Sequence, residues 1–162
     1  MLDSDTLTLA RKVNDRLIVA GHMMATAESC TGGLIAAALT SVAGSSRMLY
    51  GGFVTYDNRA KIEMIGVPEA LIEAHGAVSE EVARAMAEGA LETARVDLAV
   101  AVTGIAGPGG GSAGKPVGLV HFGLATKERT LHRREEFGDE GRDMVRQMTV
   151  RVALELVLEA YA

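Results

Sequence analysis

The chain has no tryptophan, a single cysteine, three prolines, three tyrosines and three phenylalanines among its 162 residues. Cys30 alone cannot close an intrachain disulfide, and one cysteine with four scattered histidines offers no zinc-ligand spacing, so no bound metal is expected. A reducing cytoplasm is the expected setting. Basic residues are also in deficit: 16 Lys+Arg against 21 Asp+Glu leave a net charge of −5, which argues against a nucleic-acid surface built on bulk positive charge. The N-terminal stretch MLDSDTLTLARKV carries acids where a signal peptide needs a basic segment, and no run is long and apolar enough to span a bilayer. Neither export nor membrane embedding is expected.

What is present is a globular composition, 48% hydrophobic and 23% charged, of a length that suits one domain over 1–162. Leu9, Val13 and Leu17 recur at helical spacing, which predicts a helix from about 4 to 20 ended by Gly21. His22 to Glu28 reads as a strand, Ser29-Cys30-Thr31-Gly32-Gly33 as a tight turn, and LIAAALTSVA as a buried helix. Gly51 to Tyr56 reads as a second strand, with Asp57-Asn58 capping a helix through Ile65 that carries Lys61. A short helix follows Pro68 to His75, and Ser79 opens another with Val82, Met86 and Ala90 inward. Asp97 to Thr103 has the near-continuous apolar character of a strand buried on both faces. Leu119 to Ala125 and Thr130 to Phe137 read as a strand pair, and a last helix runs from Asp139. Strands interleaved with helices predict a three-layer α/β/α sandwich on a mixed, mostly parallel five-stranded sheet.

The stretch from Gly104 to Gly118 holds seven glycines and two prolines and reads as a loop. Its Gly109-Gly110-Gly111-Ser112-Ala113-Gly114 satisfies the dinucleotide pattern G-x-G-x-x-G. That pattern needs a helix directly after it, and here Pro116 and a strand follow. The same Pro116 replaces the hydroxyl residue that a P-loop places after its lysine, so both nucleotide motifs are rejected. A flexible backbone with Lys115 remains, suited to cradling an anion or to plain connection.

Two segments carry candidate chemistry. The Ser29 to Gly33 turn joins a strand to a helix, so its N–H groups suit a phosphate or carboxylate, or simply cap the helix. Glu28 beside it either pairs with a cation, bonds a ribose hydroxyl or merely ends the strand. Cys30 lacks an assignable base among His22, His75, His121 and His132, and reads as a small buried hydrophobe. The second segment is Gly44-Ser45-Ser46 with Tyr56 and Lys61. A serine needs a base, and a desolvated lysine can serve as one, with Tyr56 relaying or orienting the proton. The plain reading is a turn, a packed ring and a solvated lysine. Arg142 and Arg146 lie one helical turn apart, either clamping a phosphate or exposed, and His132 with its charged neighbours reads as a solvated strand edge.

The strings AESCTGGLIA (27–36), AGSS (43–46), GGFVTYDNRAK (51–61), IGV (65–67), HGAVS (75–79) and VTGIAGPGGGS with KPVG resemble, in order and over nearly the whole chain, the C-terminal domain of the CinA family. The likeness is to its stand-alone amidohydrolase form, without the N-terminal pyrophosphatase-type domain of longer members. The resemblance implies hydrolysis of the nicotinamide mononucleotide carboxamide to nicotinic acid mononucleotide and ammonia, in pyridine-nucleotide salvage. It implies a homodimer or higher homo-oligomer, no cofactor and no metal. Ser46 is then the preferred nucleophile, Lys61 the general base and Tyr56 the proton-transfer partner, with Ser29 as rival nucleophile. Glu28, Thr31, Gly32, Gly33, Thr103, Gly104, Gly107 and Arg142 are the expected substrate-binding residues. Two other classes stay open: a non-catalytic pyridine-nucleotide-binding module, and a competence or DNA-damage regulator.

Overall fold

The structure is a computed structural model that describes residues 2–162. In chain order the elements are α1 (Ser4–Ala20), β1 (Met24–Glu28), α2 (Leu34–Thr40), β2 (Leu49–Val54), α3 (Asn58–Ile65), α4 (Glu69–His75), α5 (Glu80–Ala94), β3 (Leu98–Gly104), β4 (Leu119–Thr126), β5 (Thr130–Glu136) and α6 (Arg142–Glu159). The helix ends are chemically specified. The Asp3, Asp57 and Ser79 side chains accept N–H groups of the first turns of α1, α3 and α5, while Gly21 and Gly66 end α1 and α3 in the left-handed region that glycine adopts freely.

The five strands pair in the order β2-β1-β3-β4-β5. β1 is parallel to both β2 and β3, whereas β4 is antiparallel to β3 and β5. Four strands therefore run one way, and only β4 runs against them. β4 and β5 form the expected hairpin, closed by a short polar turn in which the Thr126 N–H donates to the Arg129 carbonyl at 2.8 Å.

Side-chain alternation divides the core into two layers. Leu98, Val100 and Val102 of β3 face a cluster with Val13 and Leu17 of α1, Ile35 and Leu39 of α2, and Val150 and Leu154 of α6. Ala99 and Ala101 face the other cluster, with Ile65 of α3 and Val82, Met86 and Ala90 of α5. The three-layer sandwich follows directly from that period of two.

Differences from the sequence reading are local. β1 begins at Met24, two residues later than expected, and α6 begins at Arg142, because Gly141 at φ 94 is not helical. β2 spans Leu49–Val54 and stops short of Tyr56. His132 is not on a solvated edge: its side chain is only 13% exposed and its Nε2 lies 2.8 Å from His121 Nδ1. A histidine buried in the β4–β5 pair needs such a partner.

Gly89 of α5 fixes where α3 sits, since a Cβ there would lie 1.9 Å from the Ile65 carbonyl oxygen. Two helix backbones meet at this point, so neither can give cheaply. Gly89→Ala is expected to cost about 1–3 kcal/mol and to lower activity by displacing α3. Denaturant unfolding midpoints and an activity assay of the variant check this.

Candidate active site

Strand direction decides which loops meet. The loops after β1, β2 and β3 all leave the same edge of the sheet, beside the point where the chain crosses from one face to the other. The carboxyl edge of such a switch point is where open α/β sheets place their ligands. Ser29 directly follows β1, Thr55 and Tyr56 follow β2, and Thr103 and Gly104 end β3.

Lys61 lies in the second turn of α3, whose start Asp57 caps by accepting the Arg59 N–H at 2.8 Å. Helical periodicity turns Lys61 towards the sheet on the side of Ile65. Its side chain is 1% exposed, and among fully buried side chains it is one of the largest. The Nζ donates to the Thr55 carbonyl at 2.8 Å, the Tyr56 carbonyl at 3.1 Å and Ser29 Oγ at 3.1 Å. Burial pushes its pKa below the ordinary lysine value, with Cys30 and Asp57 opposing. The lysine therefore has access to its neutral, basic form.

Ser29 is buried, and its N–H donates to the Val102 carbonyl at 3.1 Å. Ala25 and Ala27 of β1 face the α5 side, so alternation puts the Ser29 side chain on that side, the side from which Lys61 enters. The turn behind it is held by Gly32 at φ 59 and Gly33 at φ 105, conformations costly for other residues. The Cys30, Thr31 and Gly33 N–H groups have no partner among the described residues.

Ser46 does not belong to this site. It is exposed, in a 3-10 turn (Ser45–Arg47) that precedes β2, so it lies at the opposite edge of the sheet. The six residues of β2 separate it from Thr55, a span of roughly 17 Å or more at strand rise. That distance removes Ser46 as the nucleophile served by Lys61. Tyr56 is also corrected: its carbonyl meets Lys61, but its side chain is 61% exposed and its hydroxyl accepts from Arg142 at 3.1 Å. As placed, it relays no proton to the amine.

Glu28 has a structural assignment in place of the expected ligand contact. Both carboxylate oxygens are filled, Oε1 by the Thr31 hydroxyl (2.7 Å) and the Ile35 N–H (2.8 Å), Oε2 by the Thr26 hydroxyl (3.1 Å) and the Ala36 N–H (3.0 Å). A buried carboxylate with four donors closes the start of α2 and has no capacity left for a ribose. The Thr31 hydroxyl is thereby used, and the Thr103 hydroxyl donates to the Ala77 carbonyl at 2.8 Å. Neither hydroxyl points free into the site.

The two arginines of α6 tie the loops together. Arg142 donates to the Gly107 carbonyl at 2.9 Å as well as to Tyr56, and Arg146 donates to the Cys30 and Thr31 carbonyls at 3.1 Å each. Each guanidinium keeps further N–H groups for an anion. Gly104 admits no side chain, because a Cβ would fall 2.6 Å from Val120 Cγ2. The loop beyond it passes through a cis Gly107–Pro108 bond, and no helix follows before β4. Lys115 donates to the His75 carbonyl at 2.5 Å. Burial pushes the Cys30 thiol up to about 12, so Cys30 is no nucleophile at neutral pH.

Sequence reasoning missed two features. Thr55, a buried hydroxyl residue directly beside the lysine, passed as an ordinary strand residue. The histidine pair was invisible because His121 and His132 lie 11 residues apart and meet only across the hairpin.

The CinA C-terminal domain family model matches residues 6–161. The chain belongs to the CinA C-terminal domain family. Among CinA relatives, the nicotinamide-nucleotide amidohydrolase PncC of Escherichia coli K12 is 48% identical over 162 residues, covering 99% of this chain and 98% of that protein. A competence-damage inducible protein of Symbiobacterium thermophilum is 59% identical over 126 residues, and this match spans 78% of the chain and 30% of the relative's length. The crystal structure of the competence/damage inducible protein CihA from Agrobacterium tumefaciens superposes with a TM-score of 0.97 at 50% identity, covering 100% of this chain and 99% of that one.

Within this CinA domain the His121–His132 pair makes stability pH-dependent. Desolvation, then the neighbouring His132 and Arg134, lower His121 to about 4 from 6.5, despite Glu80. The unfolded chain binds more protons than the folded one between those values, so stability falls as pH drops from about 6.5 towards 4. Replacing His121 with Gln should flatten that part of a melting-temperature profile against pH.

Proposed function

We propose that the chain hydrolyses the carboxamide of nicotinamide mononucleotide to nicotinic acid mononucleotide and ammonia, with Ser29 as nucleophile and Lys61 as its base. The observation that carries this reading is the contact between a 1% exposed Lys61 amine and Ser29 Oγ at 3.1 Å. The E. coli relative that matches along its whole length, a nicotinamide-nucleotide amidohydrolase, supports the substrate.

In the first step neutral Lys61 takes the Ser29 proton as Oγ attacks the amide carbon. The lysine's other two hydrogen bonds run to the Thr55 and Tyr56 carbonyls, acceptors that stabilise the ammonium once it forms. The main-chain N–H groups of Cys30, Thr31 and Gly33, which have no partner within the described residues, are the donors we assign to the oxyanion. Lys61 then returns the proton to the departing nitrogen, ammonia leaves, and water cleaves the Ser29 ester. We assign the nucleotide phosphate to the spare N–H groups of Arg142, which holds the Gly107 carbonyl, and of Arg146, which holds the Cys30 carbonyl, together with the Gly104 and Gly107 backbone. We assign the reaction to pyridine-nucleotide salvage in the cytoplasm, in a protein assembled as a homodimer or larger homo-oligomer, without cofactor.

An ammonia-release assay on nicotinamide mononucleotide tests this. Ser29→Ala and Lys61→Met should each lower kcat by about 10²–10⁴-fold, while Ser46→Ala retains wild-type turnover. Wild-type protein that binds the mononucleotide and releases no ammonia would instead make the chain a binding module.

The rate should also fall as pH drops through the lysine's depressed pKa, because an ammonium cannot accept the Ser29 proton. The same sign governs folding: the unfolded lysine binds a proton that the buried one resists, so stability rises with pH between the depressed folded pKa and 10.5. Lys61→Met should weaken that slope, as read from melting temperatures against pH.

A further inference from the structure

Among the described residues, two buried side-chain polar atoms have no hydrogen-bond partner in the chain, Asn14 Oδ1 and Thr55 Oγ1. The Asn14 amide is partly satisfied, since its Nδ2 donates to Asp15 at 3.4 Å in α1, far from the site. Thr55 is different: it is fully buried, and its hydroxyl is its only side-chain polar group. A valine has the same shape without the cost of an unsatisfied hydroxyl, so packing alone does not explain a threonine here.

Its position can be fixed from the ladder. The β1–β2 register pairs Glu28 with Val54, and the Thr55 N–H continues that ladder by donating to the Glu28 carbonyl at 2.9 Å. Ser29 and Thr55 are thus the next neighbours on adjacent parallel strands. Phe53 packs on the α5-side cluster, as Ala27 does, so alternation brings the Thr55 and Ser29 side chains to that same face. Adjacent strands lie about 4.8 Å apart, and Lys61 Nζ bonds both the Thr55 carbonyl and Ser29 Oγ. The unpartnered hydroxyl therefore sits next to the nucleophile and the base, while bonded to neither.

We propose that Thr55 Oγ1 seats the water that hydrolyses the acyl-enzyme, an assignment that rests on the Ser29–Lys61 reading. In that step the water oxygen forms a bond to the acyl carbon while its proton passes to Lys61 Nζ. The bond from that carbon to Ser29 Oγ then breaks, Oγ takes the proton back from Lys61, and the carboxylic acid leaves. Thr55 holds the water by one hydrogen bond and exchanges no proton, so it is a positioning residue for deacylation. Acylation needs no such water and is untouched.

The test uses the full chain with nicotinamide mononucleotide and three variants. In Thr55→Val, steady-state ammonia release should fall about tenfold or more, and acid-quenched samples should show a Ser29 ester by intact mass well above the wild-type level. Thr55→Ser, which restores a hydroxyl, should recover turnover and lose the ester. Unchanged turnover in Thr55→Val would overturn the proposal, as would a loss of turnover without ester accumulation or without recovery in Thr55→Ser. Ser29→Ala separates this from the underlying reading. If that variant still turns over, the nucleophile itself is wrong, whatever Thr55→Val does.

Discussion

A lysine amine with almost no solvent contact is the constraint around which this end of the molecule is arranged. Burying an ammonium is costly unless acceptors surround it, and burying a neutral amine is cheap but leaves a strong base. Lys61 is set between these limits by two carbonyls and one hydroxyl. Those three acceptors come from the ends of two strands, so the amine is only as well placed as the β1–β2 ladder is regular. The close approach of α3 to α5 at Gly89, against Ile65, fixes the helix that carries the lysine. Packing away from the amine thus helps set its basicity.

The loops around it are fastened by three side chains, Glu28, Arg142 and Arg146, bonding largely to main-chain groups. Glu28 uses its whole capacity on the start of α2 and on two threonines, so the turn carrying Ser29 is rigid without any ligand. Arg146 grips the far side of that turn, and Arg142 spans from the glycine-rich loop to Tyr56. α6, the last element in the chain, therefore bridges the segments that follow β1, β2 and β3. The turn is thereby preorganised before any ligand arrives.

Much of the architecture could be read from the residues, because it rests on local rules. The helix ends at Gly21 and Gly66 and the caps at Asp57 and Ser79 are side-chain chemistry within a few residues. The alternation of β3 gives both faces of the sheet. The site was legible as a set of candidates, and the pairing among them was not. Ser46 stands near Tyr56 and Lys61 in sequence, yet a strand lies between and carries the two ends apart. Ser29 is 32 residues from Lys61 and touches it, because neighbouring parallel strands end at the same edge. Strand direction is a property of topology, and spacing along the chain does not reveal it. Glu28 and Thr55 were misread for a related reason: whether a polar group is satisfied depends on neighbours that only folding supplies.

Two of the three atoms that hold the lysine amine belong to the peptide backbone. Point substitution at positions 55 or 56 changes a side chain and leaves those oxygens where the strand end puts them. The electrostatic setting of the buried amine is therefore inherited with the fold, whatever side chains stand at those two positions.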